Sequence, residues 1–198
     1  MVNVGYRSTN YWVVGSGDQR LLVDLGWPGG MGALRAQMDR MGVAIGHIRY
    51  ALATHYHIDH AGCAQELKQA GVKLLVMETQ REAIPLMKQW TKPADHFLDI
   101  SLHGNLNLTL AASRGWLAEI GLAGEIVATP GHSDDSVSLL LDAGPVFTGD
   151  LTPEARLTDD AAGRLAAASW QHLRRLGAHM VYPGHGRPYP LVAAPATL

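Results

Sequence analysis

The chain has 198 residues, enough to bury one substantial core and too few for two comfortable ones. With 47% hydrophobic and 17% charged residues it is not a disordered sequence, and a formal net charge of −2 without a lysine–arginine run supplies no global attraction for nucleic acid. One cysteine excludes an internal disulfide, no apolar run nears the ~18 residues of a membrane span, and Met1–Arg7 lacks the charged, apolar and cleavage segments of a signal peptide. These features predict a single domain over residues 1–198, located in the cytoplasm, with no membrane or nucleic-acid partner.

In chain order, Asn10–Val14 and Arg20–Asp24 are β-rich runs separated by Gly15–Asp18, whose turn-forming residues predict a hairpin. Asp24–Gly26 ends the second strand, and Trp27–Gly30 is an irregular loop. Between Met31 and Met41, Leu34, Met38 and Met41 recur at helical spacing ahead of Gly42, which predicts an amphipathic helix. His47–Thr54 is a nearly continuous apolar run, read as a strand buried on both faces. A helix follows the histidine-rich segment and ends near Gly71, and Val72–Met77 is the next strand, completing a strand–helix–strand unit. Thr79–Gln89 reads as helical until Pro85 limits it. Lys92–Asn107 shows no period.

Leu106–Ala111 reads as a strand and Ser113–Ile120 as a short helix stopped by Gly121. Glu125–Thr129, Ser136–Leu141 and Val146–Thr148 are further strands. Asp159–Leu176 is the longest helix, with Asp159 and Asp160 in its first turn and Arg174 and Arg175 in its last, as the helix dipole favours. Met180–Tyr182 is the final strand. Runs of strands with a helix in each half predict two packed sheets with helices outside.

The chemistry concentrates in Thr54-His55-Tyr56-His57-Ile58-Asp59-His60. Two imidazoles in His-x-His can reach one ion from an extended segment, while Asp59 and His60 turn toward a neighbouring site. Three further donors follow apolar β-like runs at glycine turns: His132 after Pro130-Gly131, Asp150 after Gly149, and His185 in Gly184-His185-Gly186. Their positions put them at one edge of the sheets. Imidazole and carboxylate donors suit zinc, with iron or manganese as alternatives. The seven side chains predict a pair of divalent metal ions that activates water. His47, His96, His103, His172 and His179 stand singly and read as surface or satisfied core residues.

This pattern resembles the metallo-β-lactamase superfamily, whose signature is His-x-His-x-Asp-His. Its later His, Asp and His follow in the same order, and Asp24 resembles its early strand-end Asp. The resemblance spans roughly residue 10 to residue 188 and implies an α/β (α+β) fold, the αββα sandwich of two mixed β-sheets flanked by helices. It implies that His55, His57 and His132 hold one metal, that Asp59, His60 and His185 hold the second, and that Asp150 bridges both. A metal-bridging hydroxide would attack, with Asp59 as the catalytic residue that orients it and accepts its proton. Asp24, Thr54, Ser133 and Thr148 are candidates for orienting the ligands.

Within that family, β-lactamases proper lack the bridging Asp and are exported, which disfavours antibiotic hydrolysis. Flavodiiron proteins carry a carboxylate where this chain has His57. Nucleases of the family add a further arm or domain and favour basic surfaces. Glyoxalase II-like thioesterases and acyl-homoserine lactonases keep all seven ligands, although thirteen residues after His185 leave no room for the helical glutathione-binding domain of a full glyoxalase II. The expected function is hydrolysis of a small ester, thioester or lactone. The alternatives are a persulfide dioxygenase-like enzyme with one iron held by His55, His132 and Asp150 and, behind it, a nuclease of the same fold. Trp27, Met31, Met87, Trp90 and Phe97 are candidates to line a pocket, Tyr56 and Tyr189 to polarise a carbonyl, and Arg187 to meet an anion. Cys63 reads as a small buried residue, with a thiolate near a helix start as the alternative.

Overall fold

The structure is a computed structural model that describes residues 1–15 and 18–191. Ser16 and Gly17, inside the predicted hairpin turn, lie outside the described residues. The first sheet contains β1 (Val2–Asn3), β2 (Trp12–Val14), β3 (Arg20–Val23), β4 (Ile48–Leu52), β5 (Lys73–Met77) and β6 (Leu106–Leu108), hydrogen-bonded in that order. Pairing is antiparallel as far as β3 and parallel from β3 to β6. The second sheet runs β11 (Tyr189–Pro190), β10 (Met180–Pro183), β9 (Pro145–Gly149), β8 (Val137–Leu141) and β7 (Gly124–Ala128), with only β9 and β10 parallel. The helices are α1 (Met31–Arg40), α2 (Ile58–Ala61), α3 (Ala64–Gln69), α4 (Leu110–Glu119) and α5 (Ala161–Arg175).

Two-residue alternation sorts the strand side chains into three layers. Trp12, Val14, Leu21, Val23, Leu52, Leu75 and Met77 of the first sheet meet Ile126, Val137, Leu139 and Phe147 of the second. The alternate residues Val13, Leu22, Ala51, Leu74 and Val76 face Leu34 and Met38 of α1 and Ala64 and Leu67 of α3. On the far side Val127, Leu140, Val146 and Val181 pack against Ala166, Trp170 and Leu173 of α5. The order is helix, sheet, sheet, helix, the αββα sandwich expected. Burial on both faces is why the strands read as continuous apolar runs.

Several elements differ from their sequence reading. The helix after the histidine segment is two helices, because Gly62 is pressed against the loop before α1: a Cβ there would lie 2.3 Å from Ile58 O and 2.3 Å from Pro28 N. Residues 79–83 form turns, and Pro85 sits in the first turn of a 3-10 helix, Ile84–Trp90, where its missing N–H costs nothing. The expected helix Ser113–Ile120 begins earlier, at Leu110, because the Thr109 side chain accepts the Ala112 N–H and caps it. Correspondingly β6 stops at Leu108. Asp160 is the cap of α5 rather than part of its first turn, accepting the Gly163 N–H at 2.8 Å. Among the described residues no helix is long and apolar enough to cross a membrane.

Parallel and alternate strands bring five C-terminal ends to one edge. β3 and β4 deliver Asp24 and the segment Thr54–His60; β7, β9 and β10 run in one direction and deliver His132, Asp150 and His185. Thr54 O accepts the Val137 N–H at 2.8 Å, stitching the two sheets together at this edge.

Trp170 is the largest fully buried side chain, and its indole N–H donates to Thr152 O at 2.8 Å. Trp170→Ala is expected to lower unfolding free energy by about 3–5 kcal/mol. Urea denaturation measures this, and a loss under about 1 kcal/mol would show that α5 is not anchored by this residue.

Candidate metal centre

The buried carboxylate of Asp24 organises the edge. Its Oδ1 accepts the Thr54 N–H at 2.8 Å and the Thr54 hydroxyl at 2.9 Å, and its Oδ2 lies 2.9 Å from His60 Nδ1. Asp24 is 1% exposed and His60 0% exposed. Three polar partners offset the cost of taking the carboxylate out of water. Asp24 also sits at φ 63°, the left-handed region, where Asp is tolerated better than branched residues. Thr54 Oγ1 lies 3.1 Å from His55 Nδ1. Both imidazoles are thus held by Nδ1, leaving Nε2 as the free nitrogen of each.

Three groups of donors form, each with its atoms within 4.8 Å of one another: His55, His57 and His132; His55, His60 and Asp150; and Asp59, His60 and His185. The seven residues expected as ligands are all brought together. His57 Nδ1 faces His132 Nε2 at 3.0 Å. Asp150 lies between the first and last groups, with Oδ1 3.2 Å from His60 Nε2 and Oδ2 3.3 Å from His185 Nε2 and 3.8 Å from His132 Nε2. Asp59 Oδ2 is 3.4 Å from His60 Nε2 and 3.2 Å from His185 Nε2.

These residues fit a metal. His55 Nε2, His60 Nε2 and Asp150 Oδ1 are buried without a hydrogen-bond partner. His60 Nε2 is near two carboxylates and aligned for a hydrogen bond with neither. Orphaned donors aimed at shared space, drawn from imidazole and carboxylate, are what a divalent cation satisfies. Packing is close: a Cβ on Gly184 would lie 2.6 Å from both Asp150 Oδ1 and His60 Cε1.

Electrostatics say the same. Burial, then the neighbouring imidazoles, hold His55 well below its ordinary pKa. Burial would also depress His60, but Asp24, Asp150 and Asp59 outweigh it and hold its proton to well above the usual range. Burial would raise Asp59 and Asp150; His60 reverses this and keeps both below the usual carboxylate range. Burial lowers His132, with Asp150 opposing it.

Of the four candidates to orient the ligands, Asp24 and Thr54 touch imidazoles of the expected set, His60 and His55. Ser133 and Thr148 do not: Ser133 Oγ pairs with Ser136 Oγ at 2.7 Å, and Thr148 is buried in β9 without a hydrogen bond to any of the seven. Tyr56 is 3% exposed with its hydroxyl buried, and Met87 is 1% exposed, so neither can meet a substrate. Trp27, Met31 and Phe97 are partly buried against the core, Trp27 with Arg7 over its ring. Burial and Glu66 push the Cys63 thiol up, and its Sγ contacts Trp27 O at 2.9 Å, against a thiolate. Trp90 is exposed beside His57 and Asp59, Tyr189 is partly buried in the hollow that His132, Asp150 and His185 also line, and Arg187 is exposed two residues past His185. The five singly placed histidines join none of the donor groups.

The sequence reading missed an amino-terminal clip. Asn10 Nδ2 donates to Pro183 O at 2.9 Å and Gly186 O at 2.8 Å, and Asn10 N donates to Gly184 O at 2.7 Å. Ser8 O lies 2.6 Å from His185 Nδ1, and Thr9 Oγ1 donates to Asp59 Oδ2 at 3.1 Å. Asn, Ser and Thr next to a strand give no signal of this, because most of the contacts use backbone carbonyls far along the chain.

Residues 4–185 match the family described as the Metallo-beta-lactamase superfamily. A beta-lactamase-like protein 2 homolog of Caenorhabditis elegans is 27% identical over 189 residues, covering 91% of this chain and 56% of that protein. An atrochrysone carboxyl ACP thioesterase of Aspergillus fumigatus is 28% identical over 185 residues, covering 91% and 51%. The chain thus spans about half the length of these curated relatives. Among solved structures, the metallo-beta-lactamase family protein TTHA1429 of Thermus thermophilus superposes with a TM-score of 0.70 at 22% identity, covering 91% of this chain and 69% of that one. TTHA1623 in a di-iron-bound form also gives 0.70 at 22% identity, covering 96% and 93%.

The charge and placement of these donors have two measurable consequences. A cation at His60 Nε2 must displace a proton held there to above the usual histidine range, so zinc affinity is expected to rise with pH. Chelator competition at about pH 6 and about pH 8 measures this, and a flat profile would mean that His60 is not a ligand. Asn10→Ala is expected to weaken zinc at the Asp59–His60–His185 group by about 10–100-fold and spare the His55–His57–His132 group. A calorimetric zinc titration separates the two, and equal loss at both would refute a local role for the clip.

Proposed function

This chain belongs to the metallo-beta-lactamase superfamily, and from that premise we propose that it is a binuclear metal-dependent hydrolase, loaded with zinc, that cleaves a small ester, thioester or lactone. The observation that carries this is the position of Asp150 against donors of both outer groups, His132 on one side and His60 and His185 on the other. His55, His57 and His132 would hold one ion and Asp59, His60 and His185 the second, with Asp150 shared. The thioesterase among the relatives supports an acyl substrate. The di-iron neighbour keeps iron as the alternative metal.

Two divalent ions so held would supply Lewis acidity and a hydroxide nucleophile near neutral pH. The chain's own residues do the rest. Asp59 is partly exposed, and its carboxylate is fixed at Oδ2 by Thr9 and His185. It is placed to accept a hydrogen bond from the attacking water and take up its proton. The water oxygen bonds to the carbonyl carbon, the C–S or C–O bond breaks, and the proton ends on the departing thiolate or alkoxide. Tyr11 donates its hydroxyl to Asp59 O at 3.1 Å and holds that backbone against recoil.

A single-iron dioxygenase using His55, His132 and Asp150 would leave Asp59, His60 and His185 as a close, unused set. That speaks for the hydrolase.

Elemental analysis of protein purified without added metal or chelator is expected to give about two ions per chain. A panel of thioesters and lactones should then find a substrate. On it, Asp59→Asn should fold normally and lose about two to four orders of magnitude in kcat. About one iron per chain with oxygen uptake on a persulfide would replace this reading with the dioxygenase.

A further inference from the structure

Two hollows are lined by members of the donor cluster. One, of about 400 Å³, is lined by His57, Ile58, Asp59 and Trp90. The other, of about 310 Å³, has His132, Asp150, His185, Leu151, Arg156 and Tyr189 in its wall.

Trp90 ends the 3-10 helix Ile84–Trp90, in which residues three apart share a face. Ile84 and Met87 on that row are 2% and 1% exposed, whereas Trp90 is 68% exposed. The indole therefore continues the buried row past the edge of the core, over the end of the centre that carries His57 and Asp59. Covering such a ring with an apolar group favours binding in proportion to the area removed from water.

Arg156 ends the short turn Glu154–Arg156 in the wall of the other hollow. The nearest carboxylate in sequence, Glu154, is gripped by Arg174, with Nη1 2.8 Å from Oε1 and Nη2 on Oε2. That fork also ties the turn to α5. The Arg156 side chain is exposed and makes no ion pair among the described residues. A fixed turn thus presents an unneutralised guanidinium beside His132, Asp150 and His185.

From these two walls we infer that the substrate is an amphiphilic anion. Its scissile carbonyl sits over the donors, its apolar group lies against Trp90 and Ile58, and its carboxylate or phosphate meets Arg156. The placing of the carbonyl rests on the hydrolase reading above; the two walls do not. An uncharged lactone would leave Arg156 unused.

The test is calorimetric binding to the zinc-loaded protein of the neutral 2-(octylthio)ethanol and of 2-(octylthio)acetate. This thioether carries an alkyl chain and a carboxylate on opposite sides of sulfur and cannot be hydrolysed. Arg156→Gln is expected to weaken the carboxylate by about fivefold or more and to move the neutral alcohol by less than about twofold. Trp90→Ala is expected to weaken both by about tenfold. The inference is overturned if Arg156→Gln leaves the carboxylate unchanged or if neither probe binds the wild type. It is also overturned if a single-stranded oligonucleotide binds through these two residues and the amphiphile does not. Since both probes are inert thioethers, their binding is independent of whether any ester is turned over, and turnover alone decides the hydrolase reading.

Discussion

The structure depends on one buried carboxylate. Asp24 leaves the end of β3 in a left-handed conformation, accepts two hydrogen bonds from Thr54 and holds the far nitrogen of His60. Thr54 in turn touches His55 and, through its carbonyl, the first residue of β8 in the other sheet. A single side chain thereby sets the orientation of two imidazoles and helps fix where the sheets meet. Its oxygens stay paired at that depth because the partners are themselves held in place, Thr54 just past the end of β4 and His60 within α2.

The consequence is a division of labour along the strands. Their middles are apolar on both faces and supply the burial that holds the sandwich together. Their C-terminal ends carry polar groups whose mutual repulsion and desolvation oppose folding in the absence of a cation. His55 pushed down and His60 pushed up within one cluster are two signs of the same frustration. The rigid layers hold such a cluster assembled; loops alone would let it relax.

The sequence was most legible where physics is local. His-x-His-x-Asp-His after an apolar run declared both a strand and a donor cluster, and His132, Asp150 and His185 were visible because each follows a strand through a glycine turn. The two-sheet arrangement followed from runs such as Leu74–Met77 that bury both faces. What was hidden is tertiary. The break at Gly62 answers to Pro28, a residue more than thirty positions away, and no local propensity signals it. The 3-10 row Ile84, Met87, Trp90 has a three-residue period that a search for α-helical spacing passes over. Ser133 and Thr148 looked as suitable as Thr54 in composition, yet only Thr54 lies where the two sheets join.

The clip around His185 links distant parts of the chain in time as well as space. His57 and His132 are 75 residues apart, and their group can assemble once β7 has joined the sandwich. His185 is held by Ser8 across 177 residues, nearly the full length described. Closing so long a loop comes late in folding, since its entropy must be met before its contacts reward it. The group of His55, His57 and His132 therefore asks for a much shorter chain closure than the group of Asp59, His60 and His185, whose last member is pinned to the opposite end of the chain.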